Sequence, residues 1–501
     1  MNAPRRFSVQ AFWGLASWLL PLIIVFLLAP RLLNLLGLER FGILMIVLVT
    51  PIVASQIDFG IASSAVRRLS ADLRQGQIDG PAVLLSYFVV FCVIALLFGA
   101  AVALGSGWLA GTLGFSALLG VESATELTRW CALWGAVTLA TGLPSLVARA
   151  AQSFAWLTAV QTLATAVLWV GALLLIGAEQ PLRDIVVLGM LVSVLSAALM
   201  TFAARSAVRW DGPMSFRPSI PIRDMRFASG MFATQIASAI VYQADRILIS
   251  SFGSPAIAGA YALCVNLANK PLAAVTAITA FAFPHASGLH SSGARNELSA
   301  LLHALDRAVT VLVVPLLLPA IWLAQPFLKL WIGAYATPDL ALAFKVLLIA
   351  YAVSTFAVPV GHVLAASGRS GPAATFSWLT ATVVVVGIIA LVPPYGLLGA
   401  VAAILAGMST SLIFSFVARR ALALKKSDGR WRFWAGVSIG VATQAGTLLL
   451  LAGYVWDWWT LVLAGATGWA AFFVVRAILK MLTAEEIRLF DQLRRILPSP
   501  F

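Results

Sequence analysis

Long apolar stretches recur along this chain, and short polar connections separate them. A helix needs about 20 predominantly apolar residues to cross a bilayer, and windows of that length predict about fourteen crossings. The first seven predicted spans cover about 10–31, 41–66, 82–104, 129–149, 154–177, 185–206 and 227–251. The second seven cover about 256–283, 304–328, 341–365, 372–392, 396–418, 433–455 and 458–479. The pattern therefore predicts an all-α polytopic membrane protein.

The composition excludes a water-soluble protein. The chain has 501 residues, of which 61% are hydrophobic and 10% charged, whereas soluble domains carry about 25% charged residues. The deficit of charge extends over the whole length, so a soluble domain with one membrane anchor is also excluded. The apolar run after Arg5 and Arg6 exceeds the about 7–15 residues of a cleaved signal peptide, and we expect it to be retained as the first span.

The placement of charge predicts the orientation in the membrane. The net charge is +14. With the N-terminus in the cytoplasm, most loop arginines and lysines, among them Arg67, Arg68, Arg419 and Arg420, fall on the cytoplasmic side, as the positive-inside rule requires. Both termini are then cytoplasmic. The basic inner face suits anionic membrane lipids as partners, and we expect no nucleic acid.

The longest hydrophilic connection, Arg205–Phe227, divides the chain into two six-span halves followed by a further helix pair. Near the C-terminus, Ile487, Phe490 and Leu493 fall roughly on one helical face, which predicts a short amphipathic helix at the cytoplasmic surface. The predicted divisions are an N-terminal six-helix bundle at 1–210, a cytoplasmic linker at 211–226, a C-terminal six-helix bundle at 227–420, two additional transmembrane helices at 433–480 and the amphipathic tail at 481–501.

An internal similarity supports the division into halves. The connection between the first two spans contains LLGLERFGILM, and the one between spans seven and eight contains SSFGSPAIAGAY. Each has an apolar residue, a glycine, a short turn, a second glycine and then an apolar run. Internal repeats are the usual plan of membrane transporters, whose substrate sites lie between the repeats near the middle of the bilayer.

The most conspicuous polar group inside a predicted span is Lys270, which lies about 20 Å from either end of 256–283. Pro271 removes a backbone hydrogen bond and is expected to kink the helix there. Asn266 lies one turn before Lys270, and Asn269 is its neighbour. These side chains form a candidate cationic, hydrogen-bonding patch on a cavity wall, suited to a phosphate. The alternatives are a lysine held by helix carbonyls at the kink and a different span boundary.

A second polar group closes the span 41–66. Gln56 and Asp58 fall in its inner half, and Arg67 marks its end. Asp58 is a candidate proton or cation site, a partner for an arginine, or the residue that fixes a turn with Gly60. Arg67 marks the membrane boundary or meets an anion at the inner mouth of the cavity.

A third polar group lies in the outer half of the span 227–251. It comprises Tyr242, Gln243, Asp245 and Arg246. Adjacent opposite charges do not share a helix face, so Asp245 and Arg246 are each expected to have a separate partner. Arg246 is a candidate anion contact, and the alternative is an interhelical ion pair that holds the fold together.

The sequence offers no catalytic or metal-binding pattern. Cys92, Cys131 and Cys264 lie singly in apolar spans, so neither a disulfide framework nor a zinc site is expected. It contains no Walker loop and no recognisable Ser-His-Asp arrangement, and Glu122 and Glu126 have no evident catalytic companion. We therefore predict a protein that is not an enzyme and that has no cofactor, with coupling to a proton or sodium gradient left open.

Two motifs together resemble a known family. LLGLERFGILMIVLVTPIVASQIDFGIASSAVRRLSA is similar to the N-terminal signature of the polysaccharide flippases of the MOP superfamily, which combines a glycine turn, Asp-x-Gly, small residues and a basic end. YQADRILISSFGSPAIAGAYALCVNLANKP resembles the hairpin of spans seven and eight in the same family.

The resemblance implies a MATE-like fold of two pseudo-symmetric six-helix bundles around a V-shaped cavity, here with two added C-terminal helices. It implies alternating-access transfer of a polyprenyl-pyrophosphate-linked oligosaccharide to the outer leaflet of a bacterial inner membrane, for lipopolysaccharide or exopolysaccharide synthesis. Glycan polymerase or chain-length proteins are then expected partners. An ion-coupled drug exporter of the superfamily is the alternative, followed by a membrane glycan polymerase or ligase. The peptidoglycan-precursor flippases also have fourteen spans, but ASWLLPLIIVF in the first span lacks their charged pattern.

Overall fold

The computed structural model describes residues 3–75, 80–151, 153–177, 181–205, 215–217, 219, 232–233, 235–280, 282–368, 371–422 and 430–482. Every regular element in this part of the chain is a helix, as the apolar pattern predicted. Most of the predicted linker at 211–226 and the tail from residue 483 onward lie outside the described residues.

The first nine helices are α1 (Ala3–Gln56), α2 (Ile61–Gln75), α3 (Gly80–Leu104), α4 (Ser106–Thr112), α5 (Phe115–Leu119), α6 (Val121–Ala140), α7 (Leu143–Ala150), α8 (Phe154–Leu175) and α9 (Pro181–Arg205). After a helical stretch at 235–242 come α10 (Asp245–Phe252), α11 (Pro255–Ala268), α12 (Lys270–Ala280), α13 (Ala282–Ser291), α14 (Arg295–Trp322), α15 (Ala324–Ile332), α16 (Pro338–Thr355), α17 (Val358–Ala366), α18 (Gly371–Leu422), α19 (Arg430–Leu451) and α20 (Trp458–Ile478).

The helices form two compact units, each with its own packing. The first contains Met1–Leu263 together with Thr380–Ala403, and the second contains Cys264–Leu379 together with Ile404–Phe501. In the first unit a buried cluster around Tyr87, Phe91 and Leu143 joins α2, α3 and α7. The division passes through α18, so the first unit includes chain from both sides of the predicted linker.

Among the described residues, ten helices are long and apolar enough to cross a membrane. Two of these stretches, Leu19–Gln56 and Gly371–Leu422, have 38 and 52 residues. At about 1.5 Å per residue they are about 57 Å and 78 Å long, whereas the bilayer core is about 30 Å thick. Each is interrupted at a glycine with positive φ, Gly37 with φ 72° and Gly396 with φ 54°, and each is long enough for two crossings. The count of fourteen stays a prediction.

The second predicted span ends earlier than the sequence pattern indicates. The helix stops at Gln56 rather than near residue 66, and α2 begins after a turn at 57–60. Helix α2 is amphipathic: its buried side contains Ala65 and Leu69, while Arg67 is exposed. The expectation of one continuous span was wrong here because the small residues of α2 resemble a membrane helix in composition but form a surface helix.

The two internal-repeat motifs touch each other inside the first unit. A methyl group built on Gly259 would stand 2.8 Å from the Cα of Gly42, and one built on Gly42 would stand 1.7 Å from the carbonyl oxygen of Pro255. Small residues allow such close backbone approach between membrane helices. The close approach thus brings together the second glycines of the two motifs.

Aromatic side chains mark both ends of the C-terminal helix pair, α19 and α20. Trp431 and Trp434 are exposed at the start of α19, and Tyr454, Trp456 and Trp459 are exposed around the turn between the helices. Tryptophan and tyrosine concentrate at the membrane–water interfaces. The two aromatic groups lie about 20 residues apart, or about 30 Å along a helix, which is the thickness of the hydrocarbon core.

Candidate functional site

The eighth predicted span is interrupted where its polar residues lie. Helix α11 ends at Ala268 and α12 begins at Lys270, with Asn269 between them. Pro271 has no N–H to continue the hydrogen bonding of α11, which gives a local cause for the interruption. Asn266, Asn269 and Lys270 are all half-buried. The break lies about 22 Å along the helix from Pro255, so these polar groups lie deep in the predicted span.

A second break precedes α10 in the seventh predicted span. Ala239 accepts backbone hydrogen bonds from both Gln243 and Ala244, which closes the helix there, and α10 then begins at Asp245. The Asp245 side chain is fully buried, and its Oδ1 accepts a hydrogen bond of 2.8 Å from the backbone N–H of Arg246. A carboxylate at a helix N-terminus is stabilised by the free N–H groups and by the helix dipole.

The partner of Asp245 across the hairpin is Tyr261, which sequence reasoning missed. The Tyr261 hydroxyl donates a hydrogen bond of 2.5 Å to Oδ2 of Asp245, and both side chains are fully buried. Tyr242, Gln243 and Arg246 around this pair are half-buried. The signal available in the sequence was the Gly-x-Tyr of the hairpin motif. A buried carboxylate needs a donor, and this tyrosine is the one that the α10–α11 turn brings back to it.

The polar group of the second predicted span lies at the turn between α1 and α2. Both carboxylate oxygens of Asp58 accept backbone hydrogen bonds of 2.8 Å, one from Gly60 and one from Ala62. Phe59 and Gly60 have positive φ values of 53° and 75° in this turn. Asp58 is buried and caps α2, an arrangement that satisfies its oxygens locally. Gln56 is half-buried beside the turn.

The ten predicted site residues fall into the two units separately. Gln56, Asp58, Arg67, Tyr242, Gln243, Asp245 and Arg246 belong to the first unit, and Asn266, Asn269 and Lys270 to the second. Within the first unit the structure brings Tyr242, Gln243, Asp245 and Arg246 to one helix break. Arg67 lies exposed on α2, on the other side of the turn from Gln56.

A further charged pair, which sequence reasoning also missed, lies in the second unit. Arg419 near the end of α18 donates two hydrogen bonds to Asp306 of α14, from Nη1 to Oδ2 at 2.7 Å and from Nη2 to Oδ1 at 2.8 Å. The sequence pattern had treated Arg419 only as a cytoplasmic loop arginine. Paired two-point contacts of this kind fix the relative position of two helices.

Among the described residues, no three His, Cys, Asp or Glu side chains come together in a way that could hold a metal ion. Each predicted polar group instead lies at a helix break. Two of the breaks carry buried carboxylates and one carries a lysine. The breaks at Asn269 and before α10 lie inside predicted spans and resemble the discontinuous helices of transporters, whereas the Asp58 turn lies where its span ends.

Comparison with known proteins places the chain in a family. A family model described as polysaccharide biosynthesis protein matches residues 31–338. No curated protein matches the chain in sequence.

Among solved structures, the chain is similar to the lipid II flippase MurJ in an inward closed conformation, with a TM-score of 0.64, 14% identity and coverage of 94% of this chain and 99% of that one. It is similar to an inward-facing multidrug resistance MATE family transporter of the MOP superfamily, with a TM-score of 0.61, 14% identity and coverage of 83% and 94%. It is also similar to a mutant of the Vibrio cholerae MATE transporter VcmN, with a TM-score of 0.56, 18% identity and coverage of 83% and 98%. These likenesses show a MATE-like fold. Because the family model covers more than half of the chain, the protein belongs to the polysaccharide biosynthesis protein family.

Proposed function

We propose that this protein carries a polyprenyl-pyrophosphate-linked oligosaccharide from the cytoplasmic to the outer leaflet by alternating access. The observation that carries the proposal is Lys270 at a helix break deep in its predicted span, beside Asn266 and Asn269. A charged side chain in the middle of a membrane helix costs about 2.5–3.5 kcal/mol on insertion scales, and such residues usually serve a transport path. Membership of a polysaccharide biosynthesis family makes a sugar-bearing anion the expected cargo.

The chemistry of the break suits the head group of such a lipid. A lysine ammonium attracts the pyrophosphate as a point charge, and asparagine amides donate to and accept from sugar hydroxyls. In the proposed cycle, the polyprenyl tail stays in the bilayer while the head group passes the cationic segment. Arg246 of the first unit is proposed as a second anion contact, and Gln56, Tyr242 and Gln243 as polar contacts along the path.

The extent of the structural likeness favours a lipid flippase over a drug exporter. The similarity to MurJ covers 94% of this chain, whereas the similarities to MATE transporters cover 83%. The difference is about a tenth of the chain, close to the length of the C-terminal pair α19 and α20. The proposed cargo is therefore lipid-linked, as the name of MurJ says of its own substrate.

The setting follows from the same proposal. We place the protein in the inner membrane of a bacterium with both termini in the cytoplasm, where the basic loops meet anionic lipids. The carried glycan would serve lipopolysaccharide, O-antigen or exopolysaccharide synthesis, with polymerase or chain-length proteins as partners. A proton or sodium gradient would drive the cycle, with Asp58 and Asp245 as the buried carboxylates available for coupling.

The test is the sidedness of lipid-linked oligosaccharide in cells that contain or lack this chain. We expect the precursor to accumulate on the cytoplasmic leaflet without it. Lys270→Ala should reproduce that defect at normal expression, and Lys270→Arg should retain part of the transport because the charge remains. Lys329→Ala is the matched control, since that lysine of the second unit is exposed.

Two outcomes would contradict the proposal. If the precursor reaches the outer leaflet normally but stays unpolymerised, the protein acts after translocation, as a glycan polymerase or ligase would. If Lys270→Ala supports normal export, the lysine is held by the helix break and does not touch cargo.

A second candidate function, an ion-coupled small-molecule exporter, is favoured by the similarity to MATE family transporters. It predicts that deletion changes the tolerance of cells to toxic compounds and leaves their glycans intact. The two functions are thus separated by the same deletion strain, scored for precursor sidedness and for drug tolerance.

A further inference from the structure

Helix α14 carries a defect in its backbone hydrogen bonding. Pro315 and Pro319 lie one turn apart inside this helix. A helical carbonyl normally accepts from the N–H four residues further on, and proline has no N–H. The carbonyl oxygen of Pro315 therefore cannot receive its usual hydrogen bond, because the residue four positions later is Pro319.

A side chain from the C-terminal helix pair supplies the missing donor. Nε2 of Gln444, on α19, donates a hydrogen bond of 2.7 Å to the carbonyl oxygen of Pro315. Gln444 is fully buried, so this bond forms away from water. Since a carbonyl oxygen only accepts, the amide nitrogen must be the end of Gln444 that faces Pro315, which fixes the orientation of the amide.

Apolar contacts hold Gln444 at this level of α14. One turn after it, Leu448 is fully buried and packs with Leu323 at the end of α14 and with Ala464 of α20. Gly468 of α20 leaves room for Leu448, because a methyl group there would stand 3.0 Å from that side chain. The register of α19 along α14 is therefore set beside the two prolines.

A cation–aromatic contact fastens the other end of the pair to α14. The guanidinium of Arg307, on α14, lies 5.9 Å from the ring centre of Phe433 on α19. The guanidinium of Arg476, on α20, lies 5.8 Å from the same ring and 5.2 Å from that of Phe472. Arginine over an aromatic ring is an attractive contact. The pair thus holds α14 on both sides of the level of Gln444.

We propose that Gln444 is a positioning residue that replaces the backbone donor missing at Pro319, so that the C-terminal helix pair supports α14 at its two prolines. Prolines weaken a helix and allow it to bend, and a donor from a neighbouring helix is one way in which a membrane protein satisfies the freed carbonyl. The C-terminal pair then acts on transport through the shape of α14 and needs no contact with cargo.

The other end of the Gln444 amide argues for a role beyond filling space. Oε1 of Gln444 is buried and accepts no hydrogen bond from the described part of the chain. A buried acceptor without a donor is destabilising, and a leucine at this position would avoid that cost. The amide is useful only through the bond from Nε2 to Pro315, which is the bond that the proline defect requires.

The experiment is a double-mutant cycle between Gln444→Leu and Pro319→Ala. Gln444→Leu should lower the folded-to-unfolded ratio of the purified protein about fivefold, since one buried hydrogen bond is lost. Pro319→Ala restores an N–H four residues after Pro315, so Gln444→Leu in that background should cost much less. Thr443→Val is the control, because that neighbouring hydroxyl bonds to its own helix, at Ile439, and is only half-buried.

The outcomes separate the proposed donor role from packing. If Gln444→Leu destabilises the protein equally with and without Pro319→Ala, the side chain acts by packing alone and the proposal is overturned. If Gln444→Leu has no effect in either background, the proposal is overturned as well. A smaller effect in the Pro319→Ala background supports the proposal, because the cost of a packing defect at Gln444 would not depend on the backbone N–H restored in α14.

Transport supplies the second measurement, and only this part rests on the proposed function. We expect Gln444→Leu to slow translocation of the lipid-linked oligosaccharide severalfold and the double variant to recover part of the rate. Unchanged transport in every folded variant would refute an effect of this hydrogen bond on transport. Failure of the wild-type chain to translocate that lipid would refute the proposed function instead, and the stability cycle, which needs no substrate, would stand apart from it.

Discussion

The contact between the two repeat motifs yields the most quantitative prediction, for Gly42→Ala. In the structure a methyl group on Gly42 would stand 1.7 Å from the carbonyl oxygen of Pro255, whereas ordinary contacts begin at 3.4 Å. The obstacle is backbone, which cannot rotate away as a side chain can. The helix that carries Gly42 and the start of α11 would therefore have to separate by about 1.7 Å, a shift at the scale at which overpacking destabilises a protein.

The size of the effect follows from two opposing terms. Overpacking costs typically about 1–3 kcal/mol and occasionally more. Exchange of glycine for alanine inside a helix returns at most about 1 kcal/mol of helix propensity. We expect a net destabilisation of about 1–2 kcal/mol for Gly42→Ala. Gly259→Ala should cost less, because its methyl group would stand 2.8 Å from the nearest atom, the Cα of Gly42.

The assay is thermal unfolding of the purified protein in detergent, with Gly111→Ala as the matched control. Gly111 lies in α4 and a methyl group there meets no atom within 4 Å, so this variant should unfold at or slightly above the wild-type temperature. The expected order of stability is Gly111→Ala, Gly259→Ala, Gly42→Ala, from highest to lowest. Equal unfolding temperatures for the Gly42→Ala variant and the wild type would refute the close approach of the two motifs.

Three further predictions concern polar contacts. Tyr261→Phe removes the donor to buried Asp245, so the free energy of unfolding should fall by about 1.5–3 kcal/mol, measured by denaturant unfolding. Single and double alanine variants of Arg419 and Asp306 should show a coupling of about 1 kcal/mol in unfolding, and additive effects would contradict the paired contact. Hydrogen bonds from the backbone N–H and the hydroxyl of Thr460 hold the pKa of Asp457 below its usual range. The ionised Asp457 therefore stabilises α20 at neutral pH, and this stabilisation is lost as the pH falls below about 4. The difference in unfolding temperature between the wild type and Asp457→Asn should shrink in that range.

The apolar pattern was sufficient to predict the helical membrane fold, because each span must satisfy its backbone within itself. Pro271 marked the break before α12 correctly, since the loss of an N–H is a local property of the sequence. The end of the second span was placed about ten residues too late. Its neighbour α2 contains Ala62 and Ala65 beside two arginines, and composition over a window cannot separate a membrane helix from a surface helix that follows directly.

The contacts that satisfy the buried polar groups were the part that the sequence could not supply. Tyr261 meets Asp245 through a hairpin, and Gln444 meets Pro315 across two helices that are far apart in the chain. Neither pair has a periodic pattern, since each depends on how helices pack. The sequence showed only that a buried carboxylate needs a donor and that a proline leaves a carbonyl unsatisfied. The sequence therefore identifies the group that needs a hydrogen-bond donor, whereas the donor itself depends on how the helices pack.

Burial separates the predicted site residues by role. Asp58 and Asp245 are almost fully buried, and each accepts backbone hydrogen bonding at the start of a helix, α2 or α10. A group satisfied in this way stabilises its helix break and has little exposed surface for a cargo. Lys270 lies at a similar break with Asn266 but is half-buried. Because Lys270 is still partly accessible, it suits the proposed contact with an anionic head group. The buried carboxylates have little surface for cargo and remain the proposed coupling groups.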